Sequence, residues 1–151
     1  MALAVRSLAV TYYEGHHIAP HAHPWGQLIY AAEGVMRVSA GEHMWVVPPA
    51  RAIWAPPNVT HEIRAQGTFK MRTLYLEPDI SKVLPAECRA LEVSPLLREL
   101  VLHIVQLQML ERDDVGHTHL IGVLLDRLRA AEKREQEQAS PGSEGFHCSS
   151  Q

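Results

Sequence analysis

From Leu3 to about Pro78 the chain alternates apolar and polar positions in short runs, the period of half-buried β-strands. Runs at Leu3–Tyr13, Gly26–Ala32, Val35–Ala40, His43–Val47, Arg51–Ala55, His61–Gln66 and Thr68–Glu77 are each bounded by turn residues, which predicts seven or eight strands. Pro-Pro pairs at 48–49 and 56–57 suit sheet edges and corners. Beyond Pro78 the period changes to three and four. Ser94 and Pro95 form a helix start, because a hydroxyl caps the first turn and proline there gives up no hydrogen bond. Leu97, Leu100, Val101, Ile104, Leu107 and then Met109 or Leu110 follow as one apolar stripe. A second helix is predicted from about Thr118 to about Gln136, apolar through Leu120, Ile121, Leu124, Leu125 and Leu128 and then almost wholly charged. From Ser140 onward the sequence is polar, which predicts a disordered tail.

Length and composition narrow this picture. A chain of 151 residues suits one domain, and 46% hydrophobic with 21% charged residues is an ordinary globular balance. No run approaches the roughly twenty apolar residues of a spanning helix, and the N-terminus lacks a basic segment leading into an apolar one, so a cytoplasmic protein with no membrane partner is expected. The net charge is −3, and the basic cluster Arg127–Arg134 is interleaved with Asp126, Glu132 and Glu135. That balance gives no general attraction for nucleic acid, so no direct DNA binding by this chain alone is expected. Cys88 and Cys148 lie far apart and read as free thiols.

Ten histidines outnumber Phe, Tyr and Trp together, and three of them have spacing that matters. His21 and His23 are two apart, so in an extended segment both side chains leave the same face, and Gln27 shares their parity. In the strand opened by His61, that residue lies with Ile63 and Ala65 on the apolar side, while Glu62, Arg64 and Gln66 occupy the other. A buried imidazole is costly unless it is hydrogen-bonded or bound to a metal. Imidazole nitrogens with an amide oxygen suit a divalent transition metal such as zinc, nickel, iron, manganese or copper. His16, His17, His117 and His119 read as surface residues, His103 falls on the first predicted helix as a packing residue without a functional role, and His147 falls in the tail.

Gly15, His21, His23, Gln27 and Gly34 carry the spacing of the first cupin motif, with Gln27 where many cupins have glutamate. Pro56, Asn58 and His61 resemble the second motif, with Asn58 in place of its usual glycine and Ala65 in place of its usual asparagine. The resemblance implies a double-stranded β-helix, or jelly-roll barrel. A wider pattern, His21-x-His23-x-x-Gly26-Gln27-Leu28, Val47-Pro48-Pro49, Ala52-x-Trp54-x-Pro56-Pro57, His61 and Leu91 to Leu100, is similar to the N-terminal effector and dimerisation domain of AraC-type transcriptional regulators. Such regulators place two helix-turn-helix units after the helices, a half on the order of a hundred residues. Only 23 residues follow Leu128, so this chain is expected to lack that half.

The expected fold is therefore mainly β, a cupin barrel over 1–90, a helical dimerisation segment over 91–137 and a tail over 138–151. The resemblance implies a sensor domain that binds a small-molecule effector and forms a homodimer through its helices. Gln27, Trp25 and Arg37 are the expected effector contacts, and His21, His23, Gln27 and His61 the expected metal ligands. Trp45 and Trp54 serve as pocket wall or core, and Arg37 and Arg51 as an anion clamp or as exposed strand charges. The alternative is a small cupin metalloenzyme of oxygenase or isomerase type. Parity weighs against it, since Glu62 points away from His61 and Glu33 and Glu42 sit at turns, leaving no carboxylate placed inside the barrel.

Overall fold

A computed structural model describes residues 3–138, with side chains described to residue 132. The elements in order are β1 (Leu3–Tyr12), β2 (His17–His21), β3 (Gly26–Ala40), β4 (His43–Val47), β5 (Arg51–Ala55), β6 (His61–Leu76), the short α1 (Pro78–Ser81), β7 (Arg89–Glu92), α2 (Pro95–Leu107), β8 (Met109–Glu111) and α3 (Val115–Gln138). The tail expected over 138–151, with His147 and Cys148, lies beyond Gln138 outside the described residues.

All the strand pairings are antiparallel, and the long strands β3 and β6 pair along most of their length. The first half of β3 also pairs with β5, and its second half with β4. Likewise β6 pairs first with β2 and then with β1. The eight strands form one continuous sheet, with β7-β5-β3-β6-β1-β8 as its main path and β4 and β2 added on β3 and β6, and it folds over into two facing sheets where β3 and β6 bend. This is the jelly-roll barrel that the motifs imply, followed by its C-terminal helices.

The sequence divides β3 at Gly34 and β6 at Gly67, whereas in the fold each is one strand. The register between them shifts from Ala31 to Val35, and Gly34 and Gly67 take φ of +87° and +80°. Left-handed residues there bend the ladder without ending it. A Cβ on Gly34 would also collide with the Thr68 carbonyl oxygen and with Phe69. Two further strands, β7 and β8, stand in the region read as helical. They are four and three residues long, too short for a periodicity signal, and they exist by pairing with β5 and β1. The first helix ends at Leu107 because Gln108 turns to φ +75° and its N–H donates to the carbonyls of Ile104 and Val105.

Strand parity separates two cores. Ile29, Met36, Val38, Trp45, Ile53, Ile63, Phe69 and Met71 fill the space between the sheets. Leu28, Tyr30, Trp54, Leu74 and Leu76 point the other way and meet the buried stripe Leu97, Leu100, Val101 and Ile104 of α2 and Ile121, Leu124 and Leu128 of α3. Ser94 caps α2 by accepting from Leu97 N–H at 3.2 Å. Arg98, on the same helix, donates to the buried Tyr30 hydroxyl at 2.8 Å and to Ala32 O at 3.3 Å, which pins α2 to β3.

Gly34→Ala is expected to destabilise the fold by more than the roughly 1–2 kcal/mol of a left-handed alanine, because the collision adds to it. Gly15→Ala, at φ +86° with open space around the added methyl, should cost only that conformational part. Urea midpoints of the two variants measure the difference, and equal losses would refute the role given to the Gly34 contact.

Candidate functional site in the barrel mouth

His21 ends β2 directly opposite His61, the first residue of β6. His23 follows in the connection to β3, and its carbonyl accepts from Asn58 N–H at 2.8 Å, tying the two motif segments together. Asn58 has φ +66°. Asparagine is among the few non-glycine residues that adopt this conformation readily, which explains how it fills a position usually given to glycine. Gly26 is needed for a different reason: a Cβ there would strike the indole of the buried Trp54. Trp54 itself is fixed by donating from Nε1 to Pro85 O at 2.8 Å.

The three imidazoles converge. Each offers a ring nitrogen, and these atoms all lie within 4.8 Å of one another. Gln27 joins them with Oε1 at 3.2 Å from His23 Nε2 and 3.1 Å from His61 Nε2. Gln27 and His61 are almost fully buried, at 2% and 1% exposure, while His21 and His23 are half-buried. The cluster therefore has a buried floor and an open rim.

The hydrogen bonds behind the rings determine what the cluster can hold. Nδ1 of His21, His23 and His61 faces the backbone carbonyls of Ala19, Trp25 and Val59 at 2.9, 2.7 and 3.0 Å. A carbonyl oxygen only accepts, so each Nδ1 carries a proton, and in the neutral form of the ring the lone pair is on the inward Nε2. The Gln27 amide is oriented from its other end. Nε2 donates to Thr73 Oγ1 at 2.9 Å and to the Tyr75 hydroxyl at 3.4 Å, while Thr73 spends its own proton on Leu28 O. Gln27 Oε1 thus faces two nitrogen lone pairs. A proton or a cation can relieve this contact, and burial pushes His61 down to about 4, so at neutral pH that ring stays unprotonated. Three nitrogen donors and one oxygen around an electron-rich centre fit a divalent transition metal.

Of the other residues singled out in the sequence, Trp25 stands half-buried at the rim with the Arg6 guanidinium 5.2 Å from its ring. Arg37 is not brought to the cluster. It lies exposed between the buried Met36 and Val38, faces the opposite side of β3, and donates to Gln66 at 2.8 Å. Trp45 and Trp54 are buried in the two cores. Glu62 turns outward to His17 at 2.7 Å. Arg6, Thr73 and Tyr75 complete the site and have no sequence signal of their own. Their place follows from register, in which Arg6 is opposite Tyr75 and Tyr75 opposite Gln27.

Residues 6–145 match the family described as the AraC-like ligand binding domain. The HTH-type transcriptional regulator NimR of Escherichia coli (strain K12) is 34% identical over 108 residues, covering 72% of this chain and 39% of that protein. The chain thus spans well under half the length of this relative. Among solved structures, ToxT from Vibrio cholerae strain SCE256, with unsaturated fatty acid bound, aligns with 87% of this chain and 55% of its own at a TM-score of 0.67 and 6% identity. The P21 form of ToxT aligns with 87% of this chain and 57% of its own, with a TM-score of 0.63 at 4% identity. At such identities the likeness shows a shared fold, here extending through the helices as well as the barrel. On the matched span and the identity to NimR, this chain belongs to the family of AraC-like ligand-binding domains.

Proposed function

We propose that this chain is the sensor part of a cytoplasmic transcriptional regulator, taking a small-molecule effector into the barrel mouth and pairing with a second copy through α2 and α3. The observation that carries the reading is the inward row at the mouth: a buried polar floor of Gln27, His61 and Thr73 beneath the half-buried His21, His23, Trp25 and Tyr75. A buried polar floor under a partly open rim is the usual form of a small-molecule site.

His21, His23 and His61 would hold a divalent metal through Nε2, with Gln27 Oε1 as a weaker fourth donor. Zinc, nickel, iron and manganese are all compatible with this set. Such an ion would offer its remaining coordination positions to electron-rich groups of the effector. The protein's own contribution is to keep the three lone pairs aimed inward through the Nδ1 hydrogen bonds.

Transmission to the helices has a physical route. Gln27 and Tyr30 lie on opposite faces of the same strand, and Tyr30 is the residue held by Arg98 of α2. A ligand that shifts β3 against β6 therefore changes the seat of α2. Leu96, Leu107, Val115 and Val123 leave apolar surface on the helical layer, at 56%, 38%, 73% and 42% exposure, and a symmetric partner would cover it. In the assembled regulator the DNA contacts are assigned to a separate helix-turn-helix half.

Elemental analysis of untagged protein is expected to find about one transition-metal ion per chain, lost together with a chelator-sensitive part of the thermal stability in a His21→Ala, His61→Ala variant. Traces of metal well below one per chain, with stability indifferent to chelation, would remove the metal from the proposal. Sedimentation at tens of micromolar, roughly the range for a modest interface, should give a dimer that Leu96→Glu with Val123→Glu converts to monomer. A wild-type protein that sediments as a monomer throughout that range contradicts the dimer.

A further inference from the structure

The inward face of β1 carries Arg6, Leu8, Val10 and Tyr12, since these residues oppose Tyr75, Thr73, Met71 and Phe69 of β6. Tyr12 and Phe69 pack ring to ring at 5.4 Å at the far end. Toward the mouth the packing opens. Leu8 is 40% exposed although it points inward, and Arg6 is exposed as well. An inward leucine left open to solvent beside a polar floor marks a space that something apolar can enter.

Arg6 is set differently from the arginines of this chain that carry a carboxylate partner. Arg89 pairs with Glu87 and Glu132, Arg112 with Glu77 and Asp79, and Arg127 with Asp126. Among the described residues no carboxylate pairs with Arg6. Its Cζ lies instead 5.2 Å from the Trp25 ring centroid and 5.7 Å from that of Tyr75. A guanidinium laid over aromatic faces is held in place with its N–H edge unspent, and that planar edge matches a carboxylate. The Tyr75 ring stands 5.5 Å from the His23 ring, so the line Arg6, Tyr75, Gln27 runs from the open cation to the histidine cluster. Two strand spacings separate its ends, on the order of 10 Å between backbones, a span that a small organic molecule can bridge.

We infer that the ligand of this barrel is a small organic acid, its carboxylate paired edge-on with Arg6 and its apolar body lying over Leu8 and Trp25 toward the histidine cluster. The inference rests on the reading of the mouth as the effector site and adds the chemical class. Trp25 and Tyr75 act as positioning residues for the guanidinium.

The test uses the full chain and matched probes: benzoate, salicylate and octanoate against benzamide, salicylamide and octanamide, titrated by calorimetry at constant ionic strength. At least one acid is expected to bind while its amide does not, and Arg6→Met should weaken that acid about tenfold or more, with Arg6→Lys intermediate. Zinc(II) titrated alone should bind the Arg6→Met variant as it binds the wild type, which shows that the variant is folded and its cluster intact. Amides binding as well as acids, acid binding unchanged in Arg6→Met, or no binding by any acid at millimolar concentration would each overturn the inference. Leu8→Trp, which fills the mouth, separates the two levels. If it abolishes a binding that ignores Arg6, the barrel site stands and the carboxylate assignment fails; if binding survives both variants, the ligand does not lie in the barrel and both readings fail.

Discussion

Strands β3 and β6 run antiparallel over most of their length, and each bends so that its two halves belong to different sheets. A ladder of this kind fixes what faces what on both sides at once, because a slip of one residue would turn every side chain to the wrong face. Gln27 on β3 and His61, Thr73 and Tyr75 on β6 all point between the sheets, while Leu28, Tyr30, Leu74 and Leu76 point to the helices. The site and the seat of the helices are thus two faces of one pairing. Gly34, pressed against the backbone of β6, lets that pairing turn the corner.

Within the mouth, backbone carbonyls decide the chemistry. Imidazole has two nitrogens of interchangeable role, and three carbonyls at hydrogen-bond distance remove the ambiguity in the same sense for all three rings. The Gln27 oxygen is held against these nitrogens by hydrogen bonds that run from Gln27 to Thr73 on the neighbouring strand and back to Leu28, the next residue of β3. Burial adds to this by disfavouring a proton on His61. A pocket poor in protons and rich in donors is suited to a cation, and the open Arg6 beside it is suited to an anion. The organic acid inferred for the mouth answers the second demand with its carboxylate at Arg6 and leaves the cluster to a cation.

Much of this was legible in the chain. The alternation around His61 placed it inward and Glu62 outward, whereas Arg37, expected as an effector contact, lies outward between the buried Met36 and Val38. The stripe on the first helix named the residues that α2 buries. What was not legible shares one cause. β7 and β8 are too short to show a period, β3 and β6 bend at glycines that read locally as strand ends, and Arg6 looks like any exposed strand arginine until its partners are known.

Period and motif spacing are local properties, so the elements with a clear repeat, the inward parity of three histidines and one glutamine, and the family they resemble can all be read along the chain. The convergence of the three imidazoles, the line of Arg6 and Tyr75 with Gln27, and the tie from Arg98 of α2 to the strand behind the site emerge with the folded barrel. Those facts depend on register between strands some seventy residues apart in the chain, such as Arg6 and Tyr75. Such register is set by packing of the whole barrel and not by any stretch of residues within it.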